Sequence, residues 1–279
     1  MGQLLLSQRA EEGLTRAEFY RKLVNGERLF GLCLSHASPV WVDLVSRLGL
    51  DFVFIDMEHF PFSEAEVAYL CRAHAACGVA PFVRVPGVDG PYARRAKFWG
   101  AWGVVAPYIE HADEAEALVA AVKWDPLRRE KLRAWREHRN APAASLDYLR
   151  GRNADVAVLV NIESVPGVER LGQILAVPGV DAALIGPHDL SISLGIPEQY
   201  DDPEFLRQVS SIISTCRRLE KPVGVHVWWD LQREQRWLEE GISFLIHSTD
   251  LIVVEKTLRQ ELQTLRGGPA AGPPAGGLE

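Results

Sequence analysis

"DFVFIDMEHFPFSEAEVAYLCRAHAACGVAPFVRV", residues 51–85, holds the unit from which the rest of the chain is built. Four apolar residues, Phe52 to Ile55, run without interruption and stop at Asp56. A strand with one wet face alternates, whereas a strand covered on both faces reads as a continuous apolar run, the habit of parallel sheets. A segment with apolar residues at three- and four-residue steps follows, opened by Ser63 as a cap and stopped by Gly78. "APFVRV" (80–85) then restores the strand pattern. Two buried strands joined through a helix make a parallel β/α/β unit.

The same unit recurs in both directions along the chain. Strand candidates are "LFGLCLS" (29–35), "DFVFID" (51–56), "APFVRV" (80–85), "WGVVAP" (102–107), "VAVLVNIE" (156–163), "DAALIGP" (181–187), "PVGVHV" (222–227) and "ISFLIHS" (242–248). "DLQREQRWLEEG" repeats the capped-helix layout between Asp230 and Gly241. Eight strands alternating with helices predict a (β/α)8 TIM barrel, a single α/β domain over residues 1–266. A doubly wound sheet is the alternative, but no Gly-x-Gly-x-x-Gly turn follows the first strand. The connection 108–155 is longer than a barrel loop needs. It predicts a helix near 112–123 and then an excursion at about 124–152, dense in Arg128, Arg129, Lys131, Arg133, Arg136 and Arg139 and partly offset by Glu130 and Glu137. That segment reads either as a solvated excursion or subunit contact, or as an anion-binding lid. Residues 267–279, rich in Gly, Pro and Ala, are expected to be disordered.

With 47% hydrophobic residues over 279 positions, the chain can bury a core that needs no staples. Cys33, Cys71, Cys77 and Cys216 show neither metal-ligand nor disulfide spacing, which predicts a reducing, cytoplasmic setting, and Cys71 and Cys77, in one helical stretch, are expected to serve packing. A net charge of −7 argues against general attraction to nucleic acid or anionic membranes. "MGQLLLSQRAEE" (1–12) lacks the basic region and cleavage pattern of a secretory signal. No run approaches the roughly 18 apolar residues of a membrane span.

In barrels of this kind, chemistry gathers where strands run into their following helices. Those positions supply Ser35 and His36, then Asp56, Glu58 and His59, then Arg84, Glu163, His188 and Asp189, and finally His226, His247 and Asp250. Their convergence on one rim is the signal. Glu163 and Asp189 are the candidate metal ligands, hard oxygen donors suited to Mg2+ or Mn2+. The competing reading makes each a local cap, Asp189 for the helix behind it. Arg84, inside an apolar strand, pairs with a buried carboxylate or offers its planar fork to an anionic substrate. His59 with Asp56 has the form of a base held by a carboxylate, against a structural histidine. Glu58 is a candidate ion-pair partner for Arg84.

"DFVFIDMEHFPF", "PFVRVPG", "VLVNIES", "GVDAALIGPHDLSISLG" and "KPVGVHV", in that order, resemble the HpcH/HpaI family of class II pyruvate aldolases, over about residues 17–265. The resemblance implies a (β/α)8 barrel that assembles into hexamers or larger sets of trimers, with the C-terminal helix exchanged between subunits. It implies a metal-dependent carbon–carbon lyase acting on pyruvate or a 2-oxo acid with an aldehyde, using Mg2+ or Mn2+, with Co2+ also possible. Carried over by motif, Glu163 and Asp189 match the metal ligands, Arg84 the arginine at the keto oxygen, and His59 with Asp56 the acid/base pair. Asn161 stands where the family has Gln, and the backbone of Gly186, Pro187, His188 and Asp189 matches the segment that holds the pyruvate carboxylate. No lysine stands at a corresponding strand end, which disfavours a Schiff base. The chain departs from the pattern at Met57 (usually Gly), at Phe60-Pro61 (usually Pro-Asn), in the missing Arg-Gly-x-Gly turn of the long connection, and in the added His36, His188, His226 and His247. An acyl-CoA-ester lyase of the wider superfamily and an inert barrel serving as an assembly module are the alternatives.

Overall fold

The computed structural model describes residues 13–88, 91–127, 129–138, 141–228 and 230–267. Its elements are α1 (Arg16–Val24), β1 (Leu29–Leu34), α2 (Pro39–Arg47), β2 (Phe52–Asp56), α3 (Glu64–Ala76), β3 (Ala80–Arg84), α4 (Tyr92–Trp99), β4 (Gly103–Ala106) and α5 (Ala112–Lys123). They continue with α6 (Arg129–His138), α7 (Ala143–Asn153), β5 (Ala157–Ile162), α8 (Val165–Leu175), β6 (Ala182–Ile185), α9 (Pro187–Ser193), α10 (Pro203–Arg218), β7 (Val223–Val227), α11 (Leu231–Glu240), β8 (Phe244–Thr249) and α12 (Asp250–Leu265). The strands close in sequence order into one parallel barrel. All eight expected strands are present, and Pro107, Glu163 and Pro187 fall just beyond theirs rather than inside them.

The barrel floor is built by glycine and phenylalanine in register. Gly31 faces Phe52, Gly103 faces Phe82, and Gly224 faces Phe244 across neighbouring strands. A Cβ on those glycines would lie 2.3, 2.5 and 2.0 Å from the three rings, so each ring occupies its partner's missing side chain. Fully burying one such ring stabilises the fold by about 1.5–3 kcal/mol. Helix α1 adds Phe19, whose ring meets Phe82 edge-on at 5.4 Å. One layer higher the interior stays apolar with Phe54, Leu159, Leu184 and Ile246. Strand residues alternate faces, so Asp56, Arg84, Asn161 and His226 occupy the next inward level. There the interior turns polar, at the strand C-termini.

The helices follow their capping signals. Ser63 and Glu66 form a reciprocal box at the start of α3, and Asp230 caps α11. Cys71 is buried as expected, and Cys33 and Cys216 are buried too; Cys77 is exposed, because it is the cap residue at the end of α3 and not part of its packed face. The long connection forms α5, α6 and α7. Arg129 and Arg133 of α6 pair with Asp113 and Glu116 of α5, so the excursion leans on its own barrel helix. The tail at 268–279 lies outside the described residues. Among those described, no helix is long and apolar enough to cross a membrane.

Candidate active site

The register that pairs Asp56 with Arg84 across β2 and β3 assembles half of the rim. Arg84 Nε donates to Asp56 Oδ1 at 2.8 Å and Nη2 to Oδ2 at 2.6 Å, a side-on bidentate pair. Glu58 Oε2 lies 3.2 Å from Arg84 Nε. Both sequence readings of Arg84 thus have room: the guanidinium is paired, and its Nη1 end forms no hydrogen bond among the described residues. Burial alone would raise the Asp56 carboxyl, but hydrogen bonds from His59 and Arg84 outweigh it and hold the group well below the usual carboxylate range. Burial raises Glu58 despite Arg84 beside it.

His59 Nδ1 is 3.1 Å from Asp56 Oδ2 and 2.7 Å from Arg84 Nη2. One nitrogen cannot donate to the first and accept from the second at once. The hydrogen bond to Asp56 raises the imidazole's pKa; with Nδ1 engaged by Asp56 and Arg84, Nε2 is the ring nitrogen left for a reacting atom. The His59 side chain is half exposed.

The other half of the rim belongs to carboxylates without a bonded cation. Glu163 follows β5 and is 2% exposed. Its Oε1 accepts the Tyr108 amide at 2.6 Å, and its Oε2 accepts Asn161 Nδ2 at 2.6 Å. Burial pushes its carboxyl up to about 8 against the pull of Arg84 and the Tyr108 amide, with Asp189 and Glu58 adding negative charge. Gly186 makes the space: a Cβ there would fall 2.4 Å from Glu163 Oε2. Asp189, in the first turn of α9, accepts a short hydrogen bond from the Tyr108 hydroxyl instead of capping that helix.

Three features suit a hard divalent cation at Glu163 and Asp189. Burial pushes the Glu163 carboxyl upward in pKa more than nearby Arg84 lowers it, Gly186 leaves a cradle beside it, and Asn161 Oδ1 is buried without a hydrogen-bond partner. Asp56, Glu58 and His59 also bring ligand atoms within 4.8 Å of one another. That second cluster already contains the Arg84 guanidinium, whose charge opposes a metal ion there.

The remaining sequence candidates separate. Gly186 N–H donates to Ile162 O at 3.2 Å and Pro187 has no N–H, so neither can offer the amide that the resemblance assigns to this segment. His188 contributes its carbonyl to the Ser191 hydroxyl, and its ring nitrogen lies 3.9 Å from Glu198. His226 lies inside the barrel, 4.2 Å from the Trp228 ring and 5.7 Å from Phe54; burial lowers its pKa to about 3, and it stays neutral. His247 turns toward α11, where Nδ1 meets both oxygens of Glu234 at 2.9 Å. His36 and Ser35 gather on buried Asp250, at 2.9 Å and 2.5 Å. Tyr108 escaped the sequence reading although it follows the fourth strand, where the strand-end rule would have reached it.

A profile of the HpcH/HpaI aldolase/citrate lyase family matches residues 29–255. A 2-dehydro-3,6-dideoxy-6-sulfogluconate aldolase of Pseudomonas putida is 30% identical over 241 residues, 86% of this chain and 93% of the relative. A hydroxypyruvate/pyruvate aldolase of Paraburkholderia phytofirmans is 30% identical over 250 residues, covering 88% and 96%. Among solved structures, an HpcH/HpaI aldolase/citrate lyase family protein from Burkholderia cenocepacia superposes with a TM-score of 0.77 at 30% identity, covering 90% of this chain and 99% of the other.

Proposed function

This chain belongs to the HpcH/HpaI aldolase/citrate lyase family, and from that membership we propose a metal-dependent aldolase that cleaves or forms 4-hydroxy-2-oxo acids by way of a pyruvate enolate. The observation that carries the reading is the division of one rim: a carboxylate pair with no hydrogen-bonded cation among the described residues, Glu163 and Asp189, faces the His59–Asp56–Arg84 group. Glu163 and Asp189 would hold Mg2+ or Mn2+. When bound, such an ion supplies Lewis acidity to the oxygens of a 2-oxo acid.

The protein's own groups do the rest. Arg84, fixed by Asp56, directs its Nη1 hydrogens at the keto oxygen, where negative charge develops as the C–C bond breaks. His59 Nε2 takes the proton of the 4-hydroxyl as the aldehyde leaves, and returns it in the synthetic direction; such positioned acid–base help is typically worth ~10²–10⁴-fold. The first-turn amides of His188 and Asp189 in α9 are the donors for the substrate carboxylate. The relatives named above share oxo-acid chemistry by name, which supports pyruvate as the donor.

Exposed Leu251, Val254, Leu258, Leu262 and Leu265 line α12 at three- and four-residue steps. A second copy of the chain covers that stripe in the trimer-based homo-oligomer, a hexamer, that completes this reading, with the cytoplasm as its compartment. A CoA-ester substrate has less support, since Arg129 and Arg133 are engaged by Asp113 and Glu116. Oxaloacetate decarboxylation tests the proposal. It should appear with Mn2+ or Mg2+, vanish with EDTA, and be absent from Glu163→Gln. Silence in metal-loaded protein would overturn it.

A further inference from the structure

The turn after β4 ties together the two carboxylates of the proposed cation site. Tyr108 has φ of 48°, the left-handed region that a residue with a Cβ rarely adopts. Its neighbours hold it there: Pro107 and Ile109 are buried, and Ile109 N–H donates to Asn161 O at 3.2 Å. The turned backbone aims the Tyr108 N–H at Glu163 Oε1, 2.6 Å away, while its hydroxyl donates to Asp189 Oδ1. Among the described residues, no other residue hydrogen bonds to both carboxylates.

Two neighbouring carboxylates repel; hydrogen bonds from Gly186 N–H to Ile162 O and from Val165 N–H to Ser193 Oγ place the two backbones, and the setting of the two side chains is left to their own partners. A donor on each supplies that setting from a third element. Every carboxylate oxygen so engaged keeps a further lone pair for a cation. We propose that Tyr108 is the positioning residue of this pair, fixing how Glu163 and Asp189 face each other before a divalent cation arrives. This deepens the reading given above and rests on those two residues being the cation's ligands. The hydroxyl is the separable part of the device: Tyr108→Phe keeps ring and amide and removes only the bond to Asp189.

The test is titration of Mn2+ into metal-stripped protein, reading free Mn2+ by its EPR signal, for the native chain, Tyr108→Phe and Glu163→Gln. The native chain should bind. Tyr108→Phe should bind about tenfold more weakly, the order expected when a ligand loses its outer hydrogen-bond partner, and Glu163→Gln should lose binding. In oxaloacetate decarboxylation, Tyr108→Phe should need correspondingly more Mn2+ for half-maximal rate but approach native kcat at saturation. Mn2+ binding by Tyr108→Phe as tight as native or tighter, with Glu163→Gln defective, would overturn the positioning role and leave the cation site standing. Native-like binding by Glu163→Gln would overturn the cation site, and the positioning role with it.

Discussion

Arg84 is 6% exposed inside β3, where a guanidinium without a partner is costly. Asp56 meets that charge with two hydrogen bonds, and it also orients His59, so one carboxylate serves both packing and chemistry. Replacing Asp56 with Asn leaves the buried cation short of countercharge and should cost about 3–5 kcal/mol. The pH dependence has a definite sign. Asp56 titrates below its ordinary value of 3.8 when folded, so its contribution is complete above that pH and lost as the pH falls from there toward the folded value. In urea unfolding, the native advantage over Asp56→Asn should therefore be full at pH 7 and shrink below about 3.8; an advantage unchanged at pH 3 would contradict the pairing. The sequence exposed these residue types and their order at the strand end. It left open whether Arg84 turned to a carboxylate or to substrate, because that depends on the β2–β3 register.

The turn from β6 into α9 bears on Glu163 through a missing atom. Gly186 has φ of −99°, which an alanine tolerates, so the obstacle to a side chain there is Glu163 itself. Gly186→Ala should push Glu163 out of place and weaken Mn2+ binding about tenfold or more, while overpacking costs the fold only about 1–3 kcal/mol. Calorimetric titration with Mn2+ alongside thermal melts checks this; native affinity in the variant would mean that Glu163 is not held by this turn. The strand-end rule located Glu163 and Asp189 because each follows an apolar run closely. It placed His226 and His247 on the same rim; His226 is buried at the inward level of Asp56 and Arg84, whereas His247 faces α11. Successive strand residues point to opposite faces, so an error of one position in a strand end reverses the assignment. Tyr108 acts through an unusual backbone angle that no hydropathy pattern records.

At the scale of the molecule, closure of the barrel was legible because strands buried on both faces read as unbroken apolar runs. The Gly–Phe register beneath the site was not, since it depends on pairs far apart in the chain. Helix α12 shows the remaining gap: its leucine and valine stripe is exposed in a single copy, a liability unless another surface covers it. Leu258→Glu with Leu262→Glu should reduce the assembly mass in light scattering; an unchanged mass would contradict the proposed role of α12. The central claim is that this rim generates a pyruvate enolate with a divalent cation, and exchange of pyruvate methyl protons in deuterated water reports that step without any aldehyde. Exchange that requires Mg2+, stops with EDTA and is lost in Glu163→Gln is the predicted result. No exchange in protein shown to bind Mg2+, or exchange that persists in EDTA, would contradict it.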